Sequence, residues 1–446
     1  MEAFLTTTVN KSRPKRSVLD PEPPDETYYI RRPPGLTNDE MPYISKPSAF
    51  VYGHPRANPE FNKDTHEVLS RLGFICTTYD SNVYVLDNHL GKAILARAVD
   101  DMPTIHTGGK AMQDYIVNGL RDTYDITIDD PLTAILGLEA FRDRPNRRTR
   151  LRQRGSMDDM LNEFLPGWRD MRPEDLPDTP MQERHQLGVK ELALDAQMCT
   201  PDEITTYNRK EGCLNWLTYT GPDFIFATRH CARFLKQPTL LNMHEIDRII
   251  RCWARIRLED ADGLWLGGKE GVQLISTVDS SYHSFSDMKS GTGGTIHMSH
   301  DTGSIMSLCE KQSVTADSAM ACEGIGGHLQ VRKLLPLRYF CQELGYPQLL
   351  PSKFYMDNEP FINTITGQRG CSERSKHMLI RYKVLEEAWK FDEIELLHLP
   401  NFNMVADNLT KPLEPTDWRR LRRPLLGTAP IDTTPVVKPT LIPTDT

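Results

Sequence analysis

The chain has 446 residues, 39% of them hydrophobic and 26% charged, which is the composition of a globular protein with roughly two to four domains. No apolar run approaches the roughly 20 residues of a membrane span, and no secretory signal is visible. The nine cysteines are scattered without a Cys-x-x-Cys pair, which indicates a reducing compartment and argues against a disulfide framework or a zinc site. The net charge of −8 lacks the general basic footprint of a nucleic-acid binder.

The N-terminal part of the chain divides by composition. Residues 1–48 are rich in proline and charge, which predicts a flexible segment. Between 49 and 154 helical and strand patterns alternate. Helices are predicted at 62–72 and 111–121, and strands at 79–86, 93–99, 102–106 and 133–141. Asp100 and Asp101 fall between two of these strands, which predicts that they form the tip of a hairpin.

The rest of the chain is divided by polar stretches. Residues 155–200 are polar and punctuated by proline, which predicts a linker. Residues 201–260 have the apolar spacing of a helical subdomain. Residues 270–413 give three strands, a helix, a strand, a helix and a strand, typical of an α/β domain. The tail 414–446 is predicted to be disordered.

Four aspartates in the last two fifths of the chain occupy different local patterns. Asp279 ends an apolar run, Asp317 lies where a helical pattern starts, Asp357 follows a short strand, and Asp407 opens a Asp-Asn-Leu-Thr-Lys segment. If the fold brought these carboxylates together they would repel one another unless cations neutralised them. Hard divalent cations prefer oxygen ligands, and two of them can clamp a phosphodiester. The pattern therefore predicts two-metal nuclease chemistry.

Two strongly basic runs lie at 142–154 and 419–423. Each either follows a nucleic-acid backbone or forms a solvated charged face. The sequence alone leaves both interpretations open.

Several ordered segments of 270–413 are specific. They are Val278-Asp279-Ser280-Ser281-Tyr282, Thr315-Ala316-Asp317-Ser318, Tyr355-Met356-Asp357-Asn358, Arg374-Ser375-Lys376-His377 and Ala406-Asp407-Asn408-Leu409-Thr410-Lys411. Together they resemble the ribonuclease H domain of copia-type LTR-retrotransposon polyproteins. Asp317 stands where that family normally carries Glu, which shortens one expected metal ligand by a methylene.

The resemblance continues upstream. Tyr28 to Leu36, Ala98 to Met102, Ile135 to Glu139 and Gly221 to Ile225 resemble segments of the copia-type reverse transcriptase. Two departures matter. Ala98 replaces the Tyr of the polymerase hairpin, and the third polymerase carboxylate would fall two positions before Met1. We therefore expect a polyprotein fragment with little or no DNA synthesis.

The resemblance implies an α/β protein, in which an α+β palm remnant precedes a ribonuclease H-like mixed-sheet α/β domain. It implies a cofactor of two Mg²⁺ or Mn²⁺ ions per site. The metal-binding and catalytic residues would be Asp279, Asp317, Asp357 and Asp407, with Asp100 and Asp101 in the polymerase hairpin. The expected nucleic-acid contacts are Ser280, Asn358, Arg374, Lys376 and His377.

The implied partners are an RNA–DNA hybrid or another nucleic acid, without a membrane, and a full-length Pol protein or a second copy. The implied location is intracellular, in a cytoplasmic virus-like particle or in the nucleus. Two alternatives remain: a nucleic-acid-binding remnant in which both metal sites fail, and a scaffold that keeps only the α/β domain.

Overall fold

The computed structural model describes residues 4–14, 30–31, 44–45, 57–99, 101–182, 197–285, 288–367 and 378–434. The chain divides into two compact units, Met1–Ile135 with Glu343–Gly345, and Leu136–Gln342 with Tyr346–Thr446. The boundary between the two units therefore lies before residue 154, the predicted end of the region 49–154. Among the described helices, none has the length and apolar character needed to cross a bilayer.

The first unit is built on an antiparallel sheet covered by two helices. Its elements are β1 (Phe4–Pro14), β2 (Ile30–Arg31), β3 (Ile44–Ser45), α1 (Ala57–Arg71), β4 (Ile75–Cys76), β5 (Val83–Asn88), β6 (Gly91–Ala96), β7 (Thr104–His106), α2 (Gly109–Arg121), β8 (Tyr124–Asp129) and β9 (Ala134–Ile135). The sheet order is β4-β5-β6-β7-β1-β8. Alternate residues such as Tyr84 and Leu86 on β5 are buried, which gives the sheet one face toward the helices.

The predicted hairpin is present in this unit. Strands β6 and β7 pair antiparallel, with Ala93 opposite His106, and Ala98 and Asp101 form a bridge at the tip. The prediction that 1–48 is entirely flexible is wrong at its start, because β1 pairs with both β7 and β8. The β-branched Thr6–Val9 stretch within β1 favours that extended conformation.

The second unit begins with a small antiparallel sheet, and its strands contain most of the first basic run, 142–154. Strands β10 (Leu138–Asp143), β11 (Arg148–Arg152) and β12 (Leu264–Gly267) pair in the order β12-β11-β10. Arg150 Nε donates to the Asp262 carbonyl at 2.9 Å, and Arg154 Nη2 lies 2.9 Å from the Asp262 carboxylate.

The second basic run is used in the same way, since Arg422 Nε lies 2.8 Å from the buried Asp223 carboxylate. These arginines therefore form hydrogen bonds and ion pairs inside the protein. Neither the nucleic-acid interpretation nor the solvated-face interpretation of the runs applies to them.

A helical layer follows, formed by α3 (Arg154–Phe164), α4 (Pro201–Leu217), α5 (Ile225–Ala232), α6 (Leu240–Leu258) and α10 (Pro415–Leu425). Two predictions are corrected here. The first half of the predicted linker 155–200 is packed, because Met157, Met160 and Leu161 share one buried face of α3 at helical spacing. Trp418 of α10 is buried in the same core, so residues 415–425 are not disordered.

The remaining elements form a mixed α/β layer. They are β13 (Ile275–Ser281), β14 (Gly291–His297), β15 (Ser304–Lys311), α7 (Ala319–Glu343), β16 (Ser352–Met356), α8 (Glu359–Ile365), α9 (Leu379–Lys390) and β17 (Ile394–His398). The sheet order is β15-β14-β13-β16-β17. The first three strands are antiparallel, while β16 and β17 run parallel to β13. The predicted α/β class with a mixed sheet is confirmed.

Candidate metal centre

Asp279 lies near the end of the central strand β13 and its residue is only 4% exposed. Its Oδ2 accepts a 2.6 Å hydrogen bond from the Thr410 hydroxyl. Gly293 lies directly opposite Asp279 on β14, and a Cβ there would meet Thr410 Cγ2 at 2.6 Å and the Ala406 carbonyl at 2.8 Å. The absence of a side chain at 293 therefore lets the 405–410 segment close over Asp279.

The second carboxylate is Glu323, in the second turn of α7. It is 6% exposed, and within the described part of the chain its Oε2 has no hydrogen-bond partner. Gly326 brings this helix close to β13, because a Cβ at 326 would meet Ser280 Oγ at 2.2 Å. Burial, and then the carboxylates of Asp279 and Asp357, hold the pKa of Glu323 well above its ordinary value.

The third carboxylate, Asp357, follows the parallel strand β16. In the register of the two strands Thr277 lies beside Tyr355, so two residues further Asp357 lies beside Asp279. One carboxylate oxygen from each of Asp279, Glu323 and Asp357 lies within 4.8 Å of the others. Burial, and then the Asp279 carboxylate, raise the pKa of Asp357 to about 6.

Asp407 extends this cluster from the 3₁₀ helix Val405–Leu409. It is 6% exposed, and its Oδ2 lies 2.9 Å from Lys411 Nζ. Burial and the Asp279 carboxylate raise the pKa of Asp407, against the opposing effect of the Lys411 ammonium. Burial lowers the pKa of Lys411, but the carboxylates of Asp279 and Asp407 outweigh it and the net shift is upward. The ammonium therefore remains charged.

The structure does not bring Asp317 to the cluster, which corrects the expectation that it replaces the family's Glu. Asp317 is exposed and precedes the first residue of α7, Ala319. Glu323 lies in the cluster instead, on the helix face that meets the sheet. A sequence signal for it existed, since Glu323 is the only acid in a run of small and apolar residues from Ala319 to Gly327.

The predicted nucleic-acid contacts have different outcomes. Ser280 is 8% exposed, with its side chain against α7, so its hydroxyl is not available for the expected contact. Asn358 is half-buried and its side-chain oxygen accepts the Phe361 N–H at 2.9 Å, which caps α8. Arg374, Lys376 and His377 lie outside the described residues, as does Asp100. Asp101 is described at the hairpin tip of the first unit.

The donor set of the cluster fits a hard divalent cation. All its ligand atoms are carboxylate oxygens, and one of them is buried without a hydrogen-bond partner among the described residues. Oxygen-only coordination is what Mg²⁺ and Mn²⁺ prefer. A cation would also offset the mutual repulsion that, after burial, raises the pKa values of Glu323 and Asp357.

Comparison with known sequences finds similar Pol polyproteins. No protein-family model matches the chain. The retrovirus-related Pol polyproteins from transposons RE1 and RE2 of Arabidopsis thaliana are 23% identical over 88% of the chain and 22% identical over 89% of it. The retrovirus-related Pol polyprotein from transposon TNT 1-94 of Nicotiana tabacum is also similar, at 23% identity over 90% of the chain. The chain spans about a quarter of the length of the RE1 and RE2 polyproteins, 25% of one and 26% of the other.

Two solved structures also match. The foamy viral protease–reverse transcriptase in complex with RNA/DNA hybrid is 9% identical, with a TM-score of 0.47, over 92% of this chain and 45% of that chain. LC11-RNase H1 is 16% identical, with a TM-score of 0.25, over 31% of this chain and 92% of that chain. The chain is thus similar in sequence to retrovirus-related Pol polyproteins of transposons.

Proposed function

We propose that the chain is a fragment of a retroelement Pol protein whose second unit hydrolyses the RNA strand of RNA–DNA hybrids with a divalent cation. The observation that carries this proposal is the convergence of Asp279, Glu323 and Asp357 from three separate elements, with ligand oxygens within 4.8 Å of one another. Several buried carboxylates close to one another are costly to a fold, and they are typical of functional sites.

The residues of the site have separable roles in this proposal. Asp279, Glu323 and Asp357 would hold the cation, and the Thr410 hydroxyl fixes the orientation of Asp279. A bound divalent cation supplies an activated water and stabilises the charge that develops on the leaving oxygen. The Ser280 backbone lies beside the Glu323 carboxylate and opposes the rise in the Glu323 pKa that burial causes.

Selection of a hybrid requires contacts to 2′-hydroxyl groups in the minor groove. Asn358 follows the ligand Asp357 directly, and capping engages only its side-chain oxygen, so its amide N–H₂ is the group available for such a contact. Arg374, Lys376 and His377 stay predictions for the same role.

We expect no DNA synthesis by the first unit. Ala98 provides no aromatic ring at the hairpin, and β1, which pairs with β7 beside it, has no acidic residue between Phe4 and Pro14. Asp101 is the hairpin carboxylate that the structure describes.

The test is cleavage of a labelled RNA–DNA hybrid by the full chain in Mg²⁺ and in Mn²⁺. Wild-type protein should cleave, Asp279→Asn and Asp357→Asn should not, and Asp101→Asn should cleave as wild type. Folded wild-type protein that cleaves in neither metal would contradict the enzyme and leave a nucleic-acid-binding remnant. Loss of cleavage in Asp101→Asn would contradict the assignment to the second unit.

A further inference from the structure

Lys411 lies at one end of the carboxylate cluster. Its Nζ is 2.9 Å from Asp407 Oδ2 and 4.0 Å from Asp279 Oδ2. The three mutually close ligand residues Asp279, Glu323 and Asp357 do not include Asp407. The cluster therefore has two sides: one of three carboxylates, and one where two carboxylates share a lysine.

The position of this lysine is fixed by its neighbours. Thr410, the preceding residue, donates to the same Asp279 oxygen that faces the ammonium, and Lys411 is four residues after Asp407 in the closing turn. The Lys411 side chain is 39% exposed and that of Asp407 only 8%. The ammonium thus lies over the buried pair of carboxylates.

We propose that the Lys411 ammonium is a built-in cation on the Asp279–Asp407 side, so that the protein takes one divalent ion, at Asp279, Glu323 and Asp357. This rests on the proposed function, since it concerns the ion content of the same site. In the protein without bound nucleic acid, we therefore expect one ion at this site in place of the two ions that the sequence resemblance implies.

The physical reason is competition between like charges. An ammonium within contact distance of Asp407 neutralises that carboxylate and repels a divalent ion from it. Asp407 Oδ1 is buried and has no hydrogen-bond partner among the described residues, so removal of the lysine leaves a second carboxylate pair open to a cation. Lys411 is in this account a positioning residue that sets how many ions bind.

The experiment counts Mn²⁺ bound to the full chain, from the electron paramagnetic resonance signal of free Mn²⁺ during titration. The variants are Lys411→Met, which keeps most of the side-chain volume without charge, and Lys333→Met, an exposed lysine on α7, as the matched control. Wild type and Lys333→Met should bind one ion. Lys411→Met should bind two, with the first bound roughly tenfold more tightly because a neighbouring like charge is gone.

Asp407→Asn supplies a second test that does not depend on the lysine variant folding. It should keep the single ion, whereas Glu323→Gln should lose it. Two ions on wild type, one ion on folded Lys411→Met, or loss of the ion in Asp407→Asn would each overturn the inference and leave the proposed function standing. No ion on wild type would overturn both.

Discussion

Asp262 and Asp279 are both almost completely buried in the second unit, at 2% and 4% exposure, yet their surroundings are opposite. Asp262 faces Arg150 and Arg154, and Arg154 Nη2 lies 2.9 Å from its carboxylate. Asp279 faces Glu323, Asp357 and Asp407, with the Lys411 ammonium at 4.0 Å.

The charges around a buried carboxylate distinguish a structural acid such as Asp262 from a functional one such as Asp279. A buried carboxylate with its own arginines is neutralised by the fold itself, and it needs no ligand. A group of buried carboxylates, in which burial and then the neighbouring carboxylates raise the pKa values of Glu323 and Asp357, is destabilising until a cation enters. Local sequence does not distinguish the two cases, because the compensating arginines of Asp262 are more than 100 residues away in the chain.

The largest expected effect concerns Glu323. Glu323→Gln should slow hybrid cleavage by roughly two to three orders of magnitude, since stabilisation by a catalytic metal is worth several kcal/mol. Asp317→Asn is the matched control, and its cleavage rate should equal that of wild type. Single-turnover rates in Mg²⁺ measure both. The reverse result would restore Asp317 as the ligand.

Removal of a compensated acid should instead affect stability. Asp262→Asn should lower the free energy of unfolding by about 3 kcal/mol, because it leaves the half-buried Arg150 and Arg154 without their buried counter-ion. Asp260→Asn removes a 64%-exposed partner of the same arginines and should cost about 1 kcal/mol or less. Urea denaturation measures both. Equal losses in the two variants would show that the arginines do not depend on the buried carboxylate.

His297 provides a pH-dependent comparison, as a buried group that is kept neutral by its burial. Its Nδ1 donates to the Thr302 carbonyl at 2.9 Å and its Nε2 accepts from the Thr295 hydroxyl at 2.9 Å. Burial lowers the pKa of His297 to about 4.

As the pH falls below about 6.5 the unfolded chain takes up a proton on His297 that the folded protein does not. Stability should therefore be lost between about pH 6.5 and 4, by at most about 3 kcal/mol from this group. His297→Gln keeps one donor and one acceptor without titrating, and the wild-type minus variant difference isolates the effect. A difference that does not change with pH would mean that His297 is protonated in the folded state.

The smallest expected effect is a gain. Burial and the Asp279 carboxylate raise the pKa of Asp357 to about 6. At pH 7.5 Asp357 is therefore mostly ionised, and in the metal-free fold this ionised form is less favourable than in the unfolded chain. Asp357→Asn should stabilise metal-free protein by about 1 kcal/mol and remove its stabilisation by Mn²⁺. Thermal melts with EDTA and with Mn²⁺ measure this. A destabilised variant in EDTA would show that the carboxylates do not repel one another.

Much of the second unit follows from the sequence. Most of the strands and helices from 270 to 413 are predictable because runs such as 275–278 and 354–356 are short and bounded by turns, but the short helix α8 between β16 and α9 is not predicted. The placement of Asp279 and Asp357 at the ends of these strands follows as well, since parallel strands end at the same edge of a sheet.

Other features depended on distant contacts. Glu323 was missed because its role is set by which face of α7 meets β13, and not by its distance from the helix start. The packed helices α3 and α10 were missed because proline and charge obscured their short apolar faces. The basic run on β11 was ambiguous because Asp262, its partner, follows an entire helical layer.

The most direct test of the account is an anomalous difference map from crystals of the full chain soaked in Mn²⁺. The account predicts a peak bounded by Asp279, Glu323 and Asp357, with Mn–O distances of about 2.2 Å. No peak at that position in crystals whose site is open to solvent, or a peak bound by Asp317 in its place, would contradict it.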